Sequence, residues 1–160
     1  MIFILFFTGC TEITIEDAIE NEGINYNNIF YVEDSILEDG AIVFYENSTS
    51  KGALSICYLE KTRNGWKWVS GGGNAEINPR EGLSWIVSMN KEMATIYGII
   101  ENSKIKQVRV KQLEGDFDRE AKIVETDTGK RLWFIINKQP IQPPIEIIGY
   151  AENGEVIFSH

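Results

Sequence analysis

Short runs in which apolar and polar residues alternate recur along this sequence, and that period of two restricts the fold more than any other feature. In a strand every second side chain lies on one face, so runs of this kind bounded by turn residues predict antiparallel sheet. One set covers residues 28–33, 41–45, 53–61 and 66–70, linked through Glu38-Asp39-Gly40, Asn47-Ser48-Thr49-Ser50 and Arg63-Asn64-Gly65. Asn64 and Gly65 both tolerate the positive φ of a tight primed turn, which predicts a hairpin joining 53–61 to 66–70. A second set covers 94–101, 105–111, 121–125, 131–136, 145–150 and 155–158. Val108 and Val110 alternate with Gln107, Arg109 and Lys111, so that strand has one wet face. Leu132-Trp133-Phe134-Ile135-Ile136 is apolar at every position, which predicts a central strand covered on both faces.

Between the sets, Gly71-Gly72-Gly73-Asn74 through Asn78-Pro79-Arg80-Glu81-Gly82 interrupts the alternation and predicts a boundary or a long loop. Residues 14–75 then form a short helix with an antiparallel sheet. Residues 83–160 form a second unit whose six runs, with turns every eight to twelve residues, predict a β-sandwich over roughly 94–160. The helix begins at Thr14, a natural N-cap, with Glu16 and Asp17 favoured in the first turn. Ile15, Ala18 and Ile19 share a face, and Gly23 supplies a left-handed stop. Pro140, Pro143 and Pro144 cannot donate ladder bonds, so their segment runs along an edge or between sheets. The fold class expected is mainly β: antiparallel sheets with one short N-terminal helix and a C-terminal sandwich.

The amino terminus carries a different signal. Ile2-Phe3-Ile4-Leu5-Phe6-Phe7 is a continuous apolar run, too short for a bilayer span of about twenty residues but suited to the core of a secretory signal. Phe7-Thr8-Gly9-Cys10 resembles a bacterial lipobox, a large apolar residue and two small ones before an obligatory cysteine. The resemblance implies a diacylglycerol on the Cys10 thiol, removal of the preceding peptide and residence on the extracytoplasmic face of a cell membrane. Residues 1–13 then comprise a signal remnant, the lipobox and a polar tether that begins Thr11-Glu12. Because no Lys or Arg opens the segment, translation is expected to start upstream of Met1. The alternative is a buried N-terminal strand with Cys10 as a core residue.

Several other features belong to one family pattern: the short helix, the strand ending Val43-Phe44-Tyr45, and Gly65-Trp66-Lys67-Trp68 followed by Gly71-Gly72-Gly73. Together they resemble the small cell-envelope lipoproteins of Gram-positive bacilli, and the second half resembles immunoglobulin-like envelope domains. The resemblance covers most of the chain after Cys10 and implies an Ig-like β-sandwich for 83–160. Its motifs are structural, and no catalytic residue is carried over from it.

Charge and composition narrow the chemistry. Residues 1–93 hold 14 acidic against 6 basic side chains, no Lys or Arg precedes Lys51, and the net charge of the chain is −9. A nucleic-acid partner needs a basic footprint, so it is not expected. His160 is the sole histidine, which argues against a His-based catalytic triad and a zinc site. Gly71-Gly72-Gly73 lacks the Gly-Lys-Ser/Thr of a phosphate loop. Cys57 lies in an apolar run and reads as a small buried hydrophobe. No cofactor is expected.

Two constellations stand as candidate sites. Asp116 and Asp118, in Glu114-Gly115-Asp116-Phe117-Asp118, place oxygens at alternate positions where calcium could be held; an acidic turn between strands has the same pattern. Trp66 and Trp68 fall on one face of a strand, as a stacking platform for a sugar or peptide requires or as a cover over the core requires. The function expected is a lipid-anchored, non-enzymatic binding module whose partner is an envelope protein or polysaccharide. The alternatives are an envelope hydrolase using carboxylates and a cytoplasmic β protein without lipidation.

Overall fold

The computed structural model describes residues 12–49, 52–90 and 93–160; Cys10 and the apolar run before it lie outside the described residues. The chain runs through α1 (Ile15–Glu20), β1 (Tyr26–Glu33), β2 (Gly40–Asn47), β3 (Ala53–Thr62), β4 (Gly65–Ala75), β5 (Ile86–Met89), β6 (Ala94–Ile100), β7 (Gln107–Gln112), β8 (Asp118–Glu120), β9 (Lys122–Glu125), β10 (Arg131–Asn137), β11 (Ile145–Tyr150) and β12 (Val156–Ser159). The described strands form three four-stranded antiparallel sheets: β1-β2-β3-β4, β5-β6-β10-β9 and β12-β11-β7-β8.

The helix follows its local sequence. The Asp17 N–H donates to Thr14 Oγ1 at 3.1 Å and the Thr14 N–H donates to Asp17 Oδ2 at 3.0 Å, a reciprocal capping box. Six residues are too few to be stable alone, and α1 is held by burying Ala18 and Ile19 against Val43, Tyr45, Cys57 and Leu59 of the first sheet.

Above that layer the three sheets stack. On its inner face the first sheet presents Ile42, Phe44, Ile56 and Tyr58 to Tyr97, Ile99, Leu132 and Phe134 of the second. Phe44 is the hub, its ring centroid 4.8 Å from Phe134 and 5.7 Å from Tyr97. The opposite face of the second sheet carries Ile96, Trp133 and Ile135, which meet Val108, Val110 and Ile147 of the third. Every residue of β6 is therefore buried, and β10 is a central strand covered on both faces, as its unbroken apolar run implies.

Counted from β5, the second sheet takes strands in the order one, two, six, five and the third in the order eight, seven, three, four. That is the pairing of an immunoglobulin-type sandwich with one extra strand beside its third. The proline-bearing segment connects β10 to β11 and so passes between sheets, as its missing donors require.

Three features differ from the sequence reading. The glycine run is no loop: Gly71, Gly72 and Gly73 lie within β4, where Tyr97 Oη donates to the Gly72 carbonyl at 3.2 Å. The residues after it are tied down as well, with Ile77 in the core and Ser84 Oγ donating to the Glu76 carbonyl at 2.6 Å. The tight turn consists of Arg63 and Asn64, while Gly65, at φ +101°, pairs with Thr62 and opens β4. Strands β5 and β8 escaped the pattern because four and three residues are too few to display a period.

Gly98 marks the tightest contact of the stack. The Trp133 Nε1–H donates to the Ser84 carbonyl at 3.0 Å, and a Cβ at Gly98 would stand 1.8 Å from that oxygen and 2.9 Å from Nε1. Backbone and a fully buried indole cannot both retreat, so Gly98→Ala is expected to cost about 3 kcal/mol, read as a lowered denaturant midpoint. A fragment of residues 83–160 would bare Tyr97, Ile99, Leu132 and Phe134, each worth about 1.5–3 kcal/mol when covered. It is expected to bind an apolar-surface dye and to lose cooperative melting, whereas the whole chain retains it.

Candidate functional site

The first and second sheets do not meet equally along their two edges. Alternation along β4 breaks at Val69: Trp68 pairs with Leu59 and Ser70 with Tyr58, so Val69 stands unpaired as a β-bulge. The extra residue switches faces. Trp66 and Trp68 point to the helix side with Leu59, while Ser70 follows Tyr58 to the side facing the second sheet. Tyr58 Oη is hydrogen-bonded to Thr95 Oγ1 at 2.9 Å, which closes the sheets behind Ser70.

In front of that contact lies an open-mouthed cleft of about 930 Å³, lined by Leu37, Val69, Ser70, Asn90, Met93, Lys138 and Pro140. It is built from the β1–β2 loop, the bulge, Asn90 and Met93 at the facing ends of β5 and β6, and the β10–β11 connection. Its volume falls in the upper part of the roughly 300–1,000 Å³ of small-molecule sites, and its mixture of apolar walls with few polar groups is typical of them. Among the described residues that line it, Lys138 is the charged one. It has no ion-pair partner among the described residues. Ser70 Oγ is shielded from solvent and has no hydrogen-bond partner among the described residues. Such buried orphans are uncommon because each costs about 1–3 kcal/mol. Val69, 56% exposed, forms part of the wall.

The opposite edge is closed by charge. Glu33, at the end of β1, is only 2% exposed, and its carboxylate accepts from Lys122 Nζ of β9 at 2.7 Å, from the Ser35 N–H at 3.0 Å and from Ser35 Oγ. The Lys122 ammonium also lies 5.1 Å from the Tyr31 ring centroid and 5.6 Å from that of Phe134. Burial alone would raise the Glu33 pKa, but the hydrogen bonds from Lys122 and Ser35 outweigh it and hold the carboxyl below its ordinary value. Lys122 is raised correspondingly, chiefly by Glu33.

Sequence-derived candidates fall elsewhere. Trp66 and Trp68 are half-buried and flank the helix-covered cluster of the first sheet, with Lys61 Nζ 5.7 Å from the Trp66 ring centroid. Asp118 is engaged by Arg109 Nε at 2.5 Å, and that bond lowers its pKa. Asp116 is exposed in the preceding bend, and no group of three or more His, Cys, Asp or Glu converges among the described residues. Cys57 is fully buried, and desolvation pushes its thiol pKa up to about 12, which leaves an inert thiol at neutral pH. The His160 ring lies against Trp85, centroids 4.9 Å apart. The cleft had no sequence signature, since its walls come from four separate segments.

No protein family, curated protein or solved structure matches this chain.

The Glu33–Lys122 pair generates a test. Lys122→Met leaves a buried carboxylate uncompensated, whereas Glu33→Gln leaves an ammonium that is already 48% exposed. The first substitution is expected to cost more, about 2 kcal/mol, discounted from the 3–5 of a fully buried pair because Lys122 is half in water. Since the folded pKa of Glu33 lies below the ordinary 4.5, the pair's contribution is complete above that value and disappears as pH falls through the depressed pKa. Wild-type stability measured against pH should therefore drop more steeply below pH 4.5 than that of Glu33→Gln.

Proposed function

We propose that this chain is a non-enzymatic binding module of the cell envelope, held at the extracytoplasmic face of a membrane by a lipid on Cys10. The reading rests on Phe7-Thr8-Gly9-Cys10 and on how closely the fold follows it. Ile13 already belongs to the first sheet: its N–H donates to the Asn64 carbonyl at 2.9 Å, and its own carbonyl accepts from the Trp66 N–H at 2.9 Å. Only Thr11 and Glu12 separate Cys10 from that attachment, so the reach is at most about 11 Å at roughly 3.6 Å per residue. A lipid there would hold the β3–β4 turn beside the bilayer. The binding surface in this reading is the cleft between the first and second sheets, at the bulged edge.

Expressed from its native gene in a bacterial host that processes lipoproteins, the protein is expected in the membrane fraction, and Cys10→Ser is expected to release it. Metabolic labelling with a clickable fatty acid should mark the wild type alone. Equal partitioning of the two forms, with no label on either, would reject the anchor.

A further inference from the structure

We infer that Trp66, with Ile13 and Ile15 beside it, is a membrane-contact surface that enters the interfacial layer of the bilayer to which Cys10 ties the chain. The inference rests on the anchor reading and adds to it the face that the protein turns to the lipid. Ile13, Ile15 and Trp66 are each only partly buried, and together with Glu12, Thr14 and Glu16 they line a shallow hollow of about 360 Å³. That surface lies where the chain meets the sheet, since Ile13 bonds to the Asn64 carbonyl and to the Trp66 N–H. In the anchor reading residues 1–9 are removed, which leaves two small residues, Cys10 and Thr11, before the hollow. So short a tether holds Trp66 at headgroup depth. An indole joins an apolar body to one N–H donor, the combination that favours the membrane–water interface.

Trp68 supplies the contrast. A Cβ at Gly71 would stand 2.4 Å from Trp68 Cζ2, so that ring lies along the strand over Gly71, away from the turn. Charge does not set the contact. Lys61 Nζ lies 5.7 Å from the Trp66 ring centroid and Arg63 is exposed in the turn, but Glu12 and Glu16 line the same hollow, and the Asp39 carbonyl accepts from the Lys61 N–H. With both signs present there is no net pull toward an anionic surface, and the partner is a zwitterionic phospholipid layer met through apolar burial.

The test supplies the lipid chemically and so does not depend on processing in a cell. Residues 10–160 include every described residue, and a maleimide-bearing phospholipid couples to Cys10, because Cys57 is fully buried with its thiol pKa pushed up to about 12. The coupled protein is placed in phosphatidylcholine vesicles, and its tryptophan emission is compared with that in vesicles whose acyl chains carry bromine near the headgroup, a contact quencher. Bromine is expected to lower the emission of the wild type and of Trp68→Phe and to leave that of Trp66→Phe unchanged. Phenylalanine keeps an aromatic ring in the cluster, so both variants should retain cooperative melting. Emission indifferent to bromine, quenching that survives Trp66→Phe, quenching lost in Trp68→Phe, or quenching that appears only when phosphatidylglycerol is added would each overturn the contact. Absence of fatty-acid label on Cys10 in the cell overturns the anchor, whereas absence of quenching with the lipid already coupled overturns the contact, so the two failures are distinguishable.

Discussion

The structure depends on one sheet that is apolar on both faces. In β10 the side chains of Leu132 and Phe134 face one way and those of Trp133 and Ile135 the other, and β6 repeats the division with Tyr97 and Ile99 against Ile96. Such a sheet cannot be left with either side in water. One cover is the third sheet, whose outer face keeps Arg109 and Lys111. The other is the first sheet, itself covered on its far side by α1. The order of layers, helix, first sheet, second sheet and third sheet, follows from a need to bury that propagates outward until a polar face is reached.

That requirement also explains why the two halves of the chain are not independent bodies joined by a glycine linker. Phe44 packs on Phe134 and Tyr97 across the boundary, and Ile77 of the connecting segment enters the same cluster. Glycine in this region serves close approach. At Gly98 the backbone is bare so that the Ser84 carbonyl and the Trp133 indole can meet beside it.

Between the first and second sheets, the two edges are finished differently, and the difference creates the candidate site. At the β1–β9 edge a buried carboxylate and a half-exposed ammonium draw the sheets together. At the β4–β5 edge a bulge interrupts the strand, Tyr58 and Thr95 bond across the sheets, and the layers part into a cleft. Bulges strengthen local twist and re-aim side chains, so one extra residue accounts both for the opening and for the hydroxyl within it. The large aromatic pair Trp66 and Trp68, the more conspicuous feature in the sequence, goes to the opposite face and flanks the helix.

Much of the fold was legible in one dimension because its rules are local. Alternation marked ten of the twelve described strands, Thr14 with Asp17 marked the helix start, and the unbroken run 132–136 marked the central strand. Cys57 was readable as buried from its apolar neighbours alone. The sequence by itself could not reveal that Gly71–Gly73 extends a strand, because glycine is equally at ease in turns and beneath neighbouring side chains. Nor could it reveal that Glu33 and Lys122, 89 residues apart, form the pair closing one edge. The face on which Ser70 lies was decided by the tertiary structure too. A period of two places Ser70 with Trp66 and Trp68, and only pairing with β3 shows that Val69 is skipped. Local periodicity determines which residues become strands; register, bulges and the stacking of sheets are settled by contacts between distant segments, and the cleft exists only at that level.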